Sequence, residues 1–252
     1  MINCLFIAVA MGQQTCLERA HSHNDYLRPH PLADALEQKF ASVEVDVFLR
    51  DGRLYVAHTK AEIDPNKTLE NQYLMPLSKR LRENRGKIYP GYGGTFWVLV
   101  DIKENGAAAY EEFKRLMDRF IELQWQFVRP AVRFVISGDR PIEAIKRDEG
   151  KFAAIDGRWN DLDSNCSVEL MPWISESWQT HFVWRGSGEL SENDAAKLKE
   201  MVQNVHAQKR KLRFWATPDS EAGWITCWSA GVDFLNTDRP VDLAKWMRMQ
   251  VP

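Results

Sequence analysis

A single-domain α/β fold of the TIM (β/α)8 barrel class is what the sequence predicts, and three observations predict it. The length of 252 residues suits one large α/β barrel. Short runs rich in β-branched and aromatic residues alternate with longer amphipathic stretches, and eight such strand–helix units can be traced. The charges Asp101 and Lys103 appear only where an apolar strand run ends, which is where barrels collect their functional residues. The first strand is read over residues 17–21, with a helix near 32–40. Residues 43–49 form the second strand, and Asp51 and Gly52 turn it into an antiparallel return over 54–58. A helix around 69–84 is followed by a Gly/Pro/Tyr-rich segment, 89–95, which lacks the Gly-Lys-Ser/Thr of a phosphate loop and reads as a surface loop. The third strand is 96–102, and its helix is 107–123, with Phe113, Leu116, Met117, Phe120 and Ile121 at helical spacing. Residues 132–137, 152–155 and 168–174 supply the fourth to sixth strands. A helix over 195–208 opens on the capping-box-like Ser191 to Asp194. Strands 212–216 and 232–235 complete the set, and 241–249 is the last helix.

Composition excludes several classes of function. Lys plus Arg is 33 and Asp plus Glu is 35, a net charge of −2 with no basic block, so the footprint of a nucleic-acid binder is missing. No apolar run approaches the roughly 20 residues of a membrane-spanning helix. The run over residues 4–11, with the small residues beside it, reads as the apolar core and cleavage site of a secretory signal that lacks its basic start. On that reading 1–12 is a signal remnant, the barrel is 13–252, and the protein is periplasmic or secreted. A buried N-terminal strand in a cytoplasmic protein is the other reading. Cys4, Cys16, Cys166 and Cys227 form no C-x-x-C, so neither a zinc knuckle nor a thioredoxin-like motif is available. A monomer is the default, with oligomeric state open.

The chemistry is concentrated on two strands. In residues 43–47, Glu44 and Asp46 share one strand face and three valines share the other. Facing a barrel lumen, two carboxylates call for a divalent cation with oxygen ligands, Mg²⁺ or Ca²⁺ rather than zinc. Facing solvent on an edge strand, they would need nothing. Asp101 and Lys103 share one face at the end of 96–102. Asp101 can supply a third oxygen, or the two can be an ion pair where the strand leaves the core. With no ion bound the carboxylates repel, so Asp46→Asn and Glu44→Gln are expected to melt at or above the metal-free parent. His21 ends the first strand and His58 ends the return. Two imidazoles beside a carboxylate cluster suit cleavage of a phosphodiester, one taking a proton and one giving it. His30, His181 and His206 read as surface or structural, and His23 fits either description.

Taken together, the run from Ala20 through His21, Ser22, His23, Asn24 and Asp25 to Tyr26, the pair Glu44 and Asp46, and the segments 51–58, 99–103, 214–218 and 231–240 resemble the phospholipase C-like phosphodiesterase superfamily. That superfamily includes glycerophosphodiester phosphodiesterases and sphingomyelinase D enzymes, and the likeness is to a branch with a His-Ser-His-Asn-Asp-Tyr signature. The resemblance implies His21 and His58 as catalytic acid and base, Glu44, Asp46 and Asp101 as holders of Mg²⁺ or Ca²⁺, and Lys103 on the phosphate. Asn24 matches the asparagine three positions after the first histidine in the sphingomyelinase D pattern, and Trp215 is expected to touch substrate. The implied substrate is a small or lipid-derived phosphodiester, opened through a cyclic phosphate. The departures concern substrate identity: His21, Ser22 and His23 stand where glycerophosphodiesterases have His-Arg-Gly, the Glu-Asn-Thr segment is missing, and the third ligand is Asp. Two rivals are a glycoside hydrolase using acids such as Glu176, near the end of the sixth strand, and a head-group-binding barrel without catalysis. The first needs two carboxylates across a sugar and leaves the histidine pair unexplained. The second leaves the same pair without a purpose.

Overall fold

Period-two alternation in the parallel strands separates an outer, helix-covered face from a lumen whose chemistry changes along the barrel axis. The structure is a computed structural model describing residues 15–124 and 131–250. Its strands are β1 (Leu17–Ser22), β2 (Phe40–Arg50), β3 (Arg53–Val56), β4 (Phe96–Ile102), β5 (Val132–Gly138), β6 (Ala154–Gly157), β7 (Trp173–Ser177), β8 (Lys211–Trp215) and β9 (Leu235–Thr237). All but β3 pair in parallel, in the order β8-β7-β6-β5-β4-β2-β1-β9. A bridge from Arg213 to Phe234 brings the two ends together, so the eight strands form a nearly closed barrel. The helices are α1 (Ala33–Glu37), α2 (Met75–Glu83), α3 (Gly106–Met117), α4 (Ile142–Arg147), α5 (Trp178–His181), α6 (Glu192–Ala207), α7 (Glu221–Ala230) and α8 (Pro240–Gln250).

Val43, Val45 and Val47 of β2 and Val98 and Val100 of β4 belong to the main core, with Tyr110 and Phe113 of α3. The opposite faces hold a separate apolar cluster of Leu99, Val135, Ala154, Trp173 and Phe234, against which Trp97 packs. Two residues further along each of these chain segments stands a polar side chain: Asp101, Ser137, Asp156, Ser175 and Asn236. The lumen is therefore plugged by apolar rings below and lined by polar groups above, at the C-terminal strand ends.

The predicted strands are all found, with shifted limits. Strand 152–155 is β6 at 154–157, 168–174 is β7 at 173–177, and 232–235 is β9 at 235–237. Parallel strands buried on both faces carry little alternation, so hydrophobicity cannot mark their ends. Helix 32–40 shrinks to α1 because Lys39 turns at φ 63 and Phe40 already begins β2. Helix 69–84 opens as a π-helical turn, Glu70–Leu74, before α2, and 107–123 is α3 followed by the turn Ile121–Leu123. Ser191 caps α6 as read, its hydroxyl accepting from the Asp194 N–H at 3.1 Å. Segment 89–95 is more than surface: Tyr89 is buried and donates to the Phe40 carbonyl at 2.6 Å, closing the barrel's N-terminal end. Cys16, Cys166 and Cys227 are free thiols. Among the described residues no helix is long and apolar enough to cross a membrane, and the expected signal segment, 1–12, lies outside them.

Candidate active site

β2 and β4 run in register, with Asp46 opposite Asp101, so the three predicted acids converge. Glu44, Asp46 and Asp101 offer ligand oxygens all within 4.8 Å of one another. One oxygen of each is committed: Glu44 Oε2 to His21 and Arg213, Asp46 Oδ2 to Tyr26, His58 and Lys103, and Asp101 Oδ2 to Lys103. Among the described residues, Glu44 Oε1, Asp46 Oδ1 and Asp101 Oδ1 accept no hydrogen bond, and Asp46 Oδ1 is buried without any partner. A buried carboxylate oxygen left alone is costly, and an oxygen-seeking divalent cation could satisfy Asp46 Oδ1 together with the other two oxygens. The residues present fit such an ion.

Charges around the acids are uneven. Burial opposes ionisation of Glu44, yet the Arg213 guanidinium and the His21 hydrogen bond outweigh it and hold the carboxyl well below its usual range. Burial raises Asp46, Lys103 draws it back, and the neighbouring carboxylates push it up again. Lys103, expected on the phosphate, lines the cavity while its ammonium bridges Asp46 at 2.7 Å and Asp101 at 2.9 Å.

The two histidines expected as acid and base part ways. His58 lies beyond the end of β3, its side chain 52% exposed, and its Nδ1 faces Asp46 Oδ2 at 3.1 Å and the Tyr26 hydroxyl at 2.9 Å. That orientation leaves Nε2 for the cavity. His21 is 0% exposed and packs edge-on against Trp173 and Phe234. Its Nε2 donates to Glu44 at 3.2 Å and its Nδ1 meets the Ser42 hydroxyl at 2.7 Å, a pattern that the neutral ring satisfies completely. Burial, then the charge of Arg213, pushes its pKa down to about 4. By strand alternation His21 and His23 share the lumen side, with His23 one layer higher. His23 lines the cavity, with Nδ1 at 3.2 Å from Asp238, a carboxylate that Arg28 also holds at 2.7 Å. Burial opposes the charged form of His23, but Asp238 and the pull of Glu44 raise its pKa.

The rest of the signature divides between support and surface. Ser22, Tyr73 and the Leu32 N–H all donate to the buried Asp25, which fixes the loop after β1. Asn24, in the left-handed region at φ 45, turns that loop and lines the cavity, its Oδ1 3.2 Å from the Tyr26 hydroxyl. Tyr26 donates to Asp46 at 2.6 Å. The cavity, about 280 Å³, is completed by Trp215, Arg213, Ser137, Gly138 and Arg158. A larger hollow of about 560 Å³ lies on the outer flank and has no strand-end acid; there Glu70 is already paired with Arg119 at 2.6 Å. Glu176 accepts from the Trp159 N–H at 2.6 Å and pairs with His181 at 3.0 Å, so both its oxygens are committed. Arg213, Asp156 and Arg158 went unnoticed in the sequence, and Tyr26 stood in the signature without a role. Arg213 carried a usable signal, a charge inside an apolar strand run, and Arg158 did not, because the strand before it was placed two residues early.

Gly138 ends β5 at φ +69, and a Cβ there would overlap Asp101 Oδ1 and the Ile102 carbonyl. Gly138→Ala is therefore expected to displace Asp101 and, with Mg²⁺ or Ca²⁺ as the proposed occupant of the acids, to weaken ion binding about 10–100-fold, the usual cost of disturbing a ligand's support. Calorimetric titration with the ion checks it. Unchanged affinity would mean that Asp101 is not held by this cradle.

The fold and site together are those of a nearly closed parallel barrel with clustered acids and histidines at its C-terminal mouth. Residues 11–150 match the AIM6-like phosphodiesterase domain, and the chain belongs to that family. The altered inheritance of mitochondria protein 6 homolog of Arthroderma benhamiae is 26% identical, over 86% of this chain and 80% of its own. The altered inheritance of mitochondria protein 6 of Eremothecium gossypii is 27% identical, over 88% and 67% respectively. Among solved structures, a glycerophosphodiester phosphodiesterase from Parabacteroides distasonis superposes with a TM-score of 0.59 at 14% identity, covering 93% of this chain and 98% of that one. One from Agrobacterium tumefaciens gives 0.53 at 15% identity, over 92% and 100%. At these identities the likeness is one of fold.

Proposed function

We propose that the protein is a divalent-cation-dependent phosphodiesterase acting on glycerophosphodiester-type or lipid-head-group-type diesters that carry a hydroxyl next to the phosphate. The observation that carries the reading is the His58 imidazole, aimed by Asp46 and Tyr26 beside three carboxylates that each keep an uncommitted oxygen. Glu44, Asp46 and Asp101 would hold Mg²⁺ or Ca²⁺, whose charge favours the extra negative charge on phosphate in the transition state. His58, with Nδ1–H turned to Asp46, takes the proton of the substrate hydroxyl at Nε2. The hydroxyl oxygen bonds to phosphorus as the bond to the leaving oxygen breaks. His23, whose charged form Asp238 favours, gives the leaving oxygen its proton. The products are a five-membered cyclic phosphate and an alcohol, and water can open the ring later. Lys103 and Asn24 face the substrate from the carboxylate side, and Trp215 from the other. His21 touches none of these atoms and positions Glu44.

Phosphorus NMR of a glycerophosphodiester reaction tests the scheme. The cyclic phosphate is expected as first product, no turnover in EDTA, and recovery with Mg²⁺ or Ca²⁺. A linear phosphomonoester as sole product in a single turnover would establish direct attack by water. Diesters without the neighbouring hydroxyl should be poor substrates. The glycosidase alternative loses its candidate acid, because Glu176 is held by Trp159 and His181.

A further inference from the structure

Asp156 of β6 is a fully buried carboxylate in the polar layer of the lumen. Its oxygens receive Ser175 Oγ on one side and Ser137 Oγ, at 2.8 Å, on the other. Arg158 Nη1 donates to the same Oδ2 at 2.6 Å and also meets the Gly157 carbonyl at 3.1 Å. Arg158 Nη2 gives one hydrogen to Ser137 Oγ at 3.0 Å. A buried charge is expensive unless it is paired and hydrogen-bonded, and what this one holds is a guanidinium at the cavity wall, 26% exposed.

Counting donors shows what that guanidinium has left. Nη1 spends its hydrogens on Asp156 and the backbone, and Nη2 spends one. Among the described residues, Nε and the second Nη2 hydrogen have no acceptor. These two form one edge of the fork, the geometry that grips a phosphate or carboxylate with two parallel bonds. The Trp215 ring lies 5.1 Å from the guanidinium carbon and limits how the plane can tilt. Position favours phosphate: Ser137, which Nη2 touches, is the register partner of Asp101 on the adjacent strand, roughly 5 Å away at ordinary strand spacing. A phosphate with one oxygen at the carboxylate side would place another near this edge.

Resting on the phosphodiesterase reading, we propose that Arg158 is a substrate-binding residue, preset by Asp156, that grips a non-bridging oxygen of the scissile phosphate from the end of β6. Because Asp156, Ser137 and the backbone already fix the side chain, binding an oxyanion orders nothing further.

Two measurements on Arg158→Gln and Arg158→Lys separate this proposal from the reading beneath it. Calorimetric titration of the Mg²⁺-loaded protein with inorganic phosphate needs no turnover. Loss of the two charge-assisted bonds in Arg158→Gln is expected to weaken phosphate at least about tenfold. Arg158→Lys, which keeps the charge but loses the fork, should fall between it and the parent, and carries the comparison if the glutamine variant does not fold. For glycerophosphodiester hydrolysis, kcat/KM should fall about a hundredfold in Arg158→Gln. Parent-like phosphate affinity and kcat/KM in both variants would overturn the proposal while leaving the phosphodiesterase reading intact. Arg158-dependent phosphate binding in a protein that cleaves no diester would uphold the oxyanion grip and overturn the reaction instead.

Discussion

His58→Ala should lower turnover of a glycerophosphodiester by about 10²–10⁴-fold, the usual worth of a positioned proton-transfer group. Its melting temperature should stay close to that of the parent, since a side chain 52% exposed contributes little to packing. His23→Ala separates the acid from the base. A p-nitrophenolate leaving group departs without being protonated, whereas an alkoxide does not, so only alkyl esters need the acid. The ratio of alkyl-ester to p-nitrophenyl-ester turnover should therefore fall about a hundredfold in His23→Ala and hold steady in His58→Ala. His21→Ala should behave as neither. It removes a ring packed edge-on against Trp173 and Phe234, leaves Ser42 without a partner and leaves Glu44 with Arg213 alone, a loss of about 3 kcal/mol in stability. Its activity should drop for both leaving groups alike, through Glu44. A His21→Ala protein with parental stability and an alkyl-specific defect would return the acid role to His21.

The different depths of His21 and His23 mark where sequence reasoning ends. The alternation of acids and valines over residues 43–47 and the isolated Asp101 at the end of an apolar run were enough to bring three carboxylates together, because strand period two is a local property. His21 and His23 share that period, so alternation places both on the lumen side and says nothing about depth. Depth is decided by Trp173 and Phe234, which arrive from strands about 150 to 210 positions downstream and close over His21. Arg213 and Asn236 are likewise distant partners: the guanidinium bonds Asn236 at 2.9 Å and also reaches Glu44. The closing strands, being buried on both faces, had legible existence and illegible ends. The two-residue error at β6 was enough to hide Asp156 and Arg158.

Glu44→Gln and Asp46→Asn should both abolish the rise in melting temperature that Mg²⁺ or Ca²⁺ produces in the parent, since an ion bound only by the folded state stabilises it by mass action. Without the ion they should differ. Repulsion among the acids alone would leave both variants at or above the parent, but the structure supplies each acid with a different counter-charge. Glu44 is the partner of the buried Arg213, side chain 3% exposed, and of the neutral His21. Removing one member of a buried pair strands the other, at a cost of about 3 kcal/mol or more, which for a chain of this size is about 6–12 °C. Because Arg213 and His21 hold the Glu44 carboxyl below its ordinary 4.5, the pair's contribution is complete above that pH and is lost only as pH falls through the lower, folded value. At pH 7 the whole deficit should be visible. Asp46 is the opposite case: burial already disfavours its charge, Lys103 keeps Asp101 at 2.9 Å, and an asparagine oxygen can still accept from Tyr26. Asp46→Asn should thus melt near the metal-free parent. Scanning calorimetry at pH 7, in EDTA and in Mg²⁺ or Ca²⁺, makes the comparison. Glu44→Gln melting at or above the parent in EDTA would show that Arg213 does not depend on Glu44 for its charge. No ion-dependent rise in the parent, together with full activity in EDTA, would remove the carboxylate site altogether.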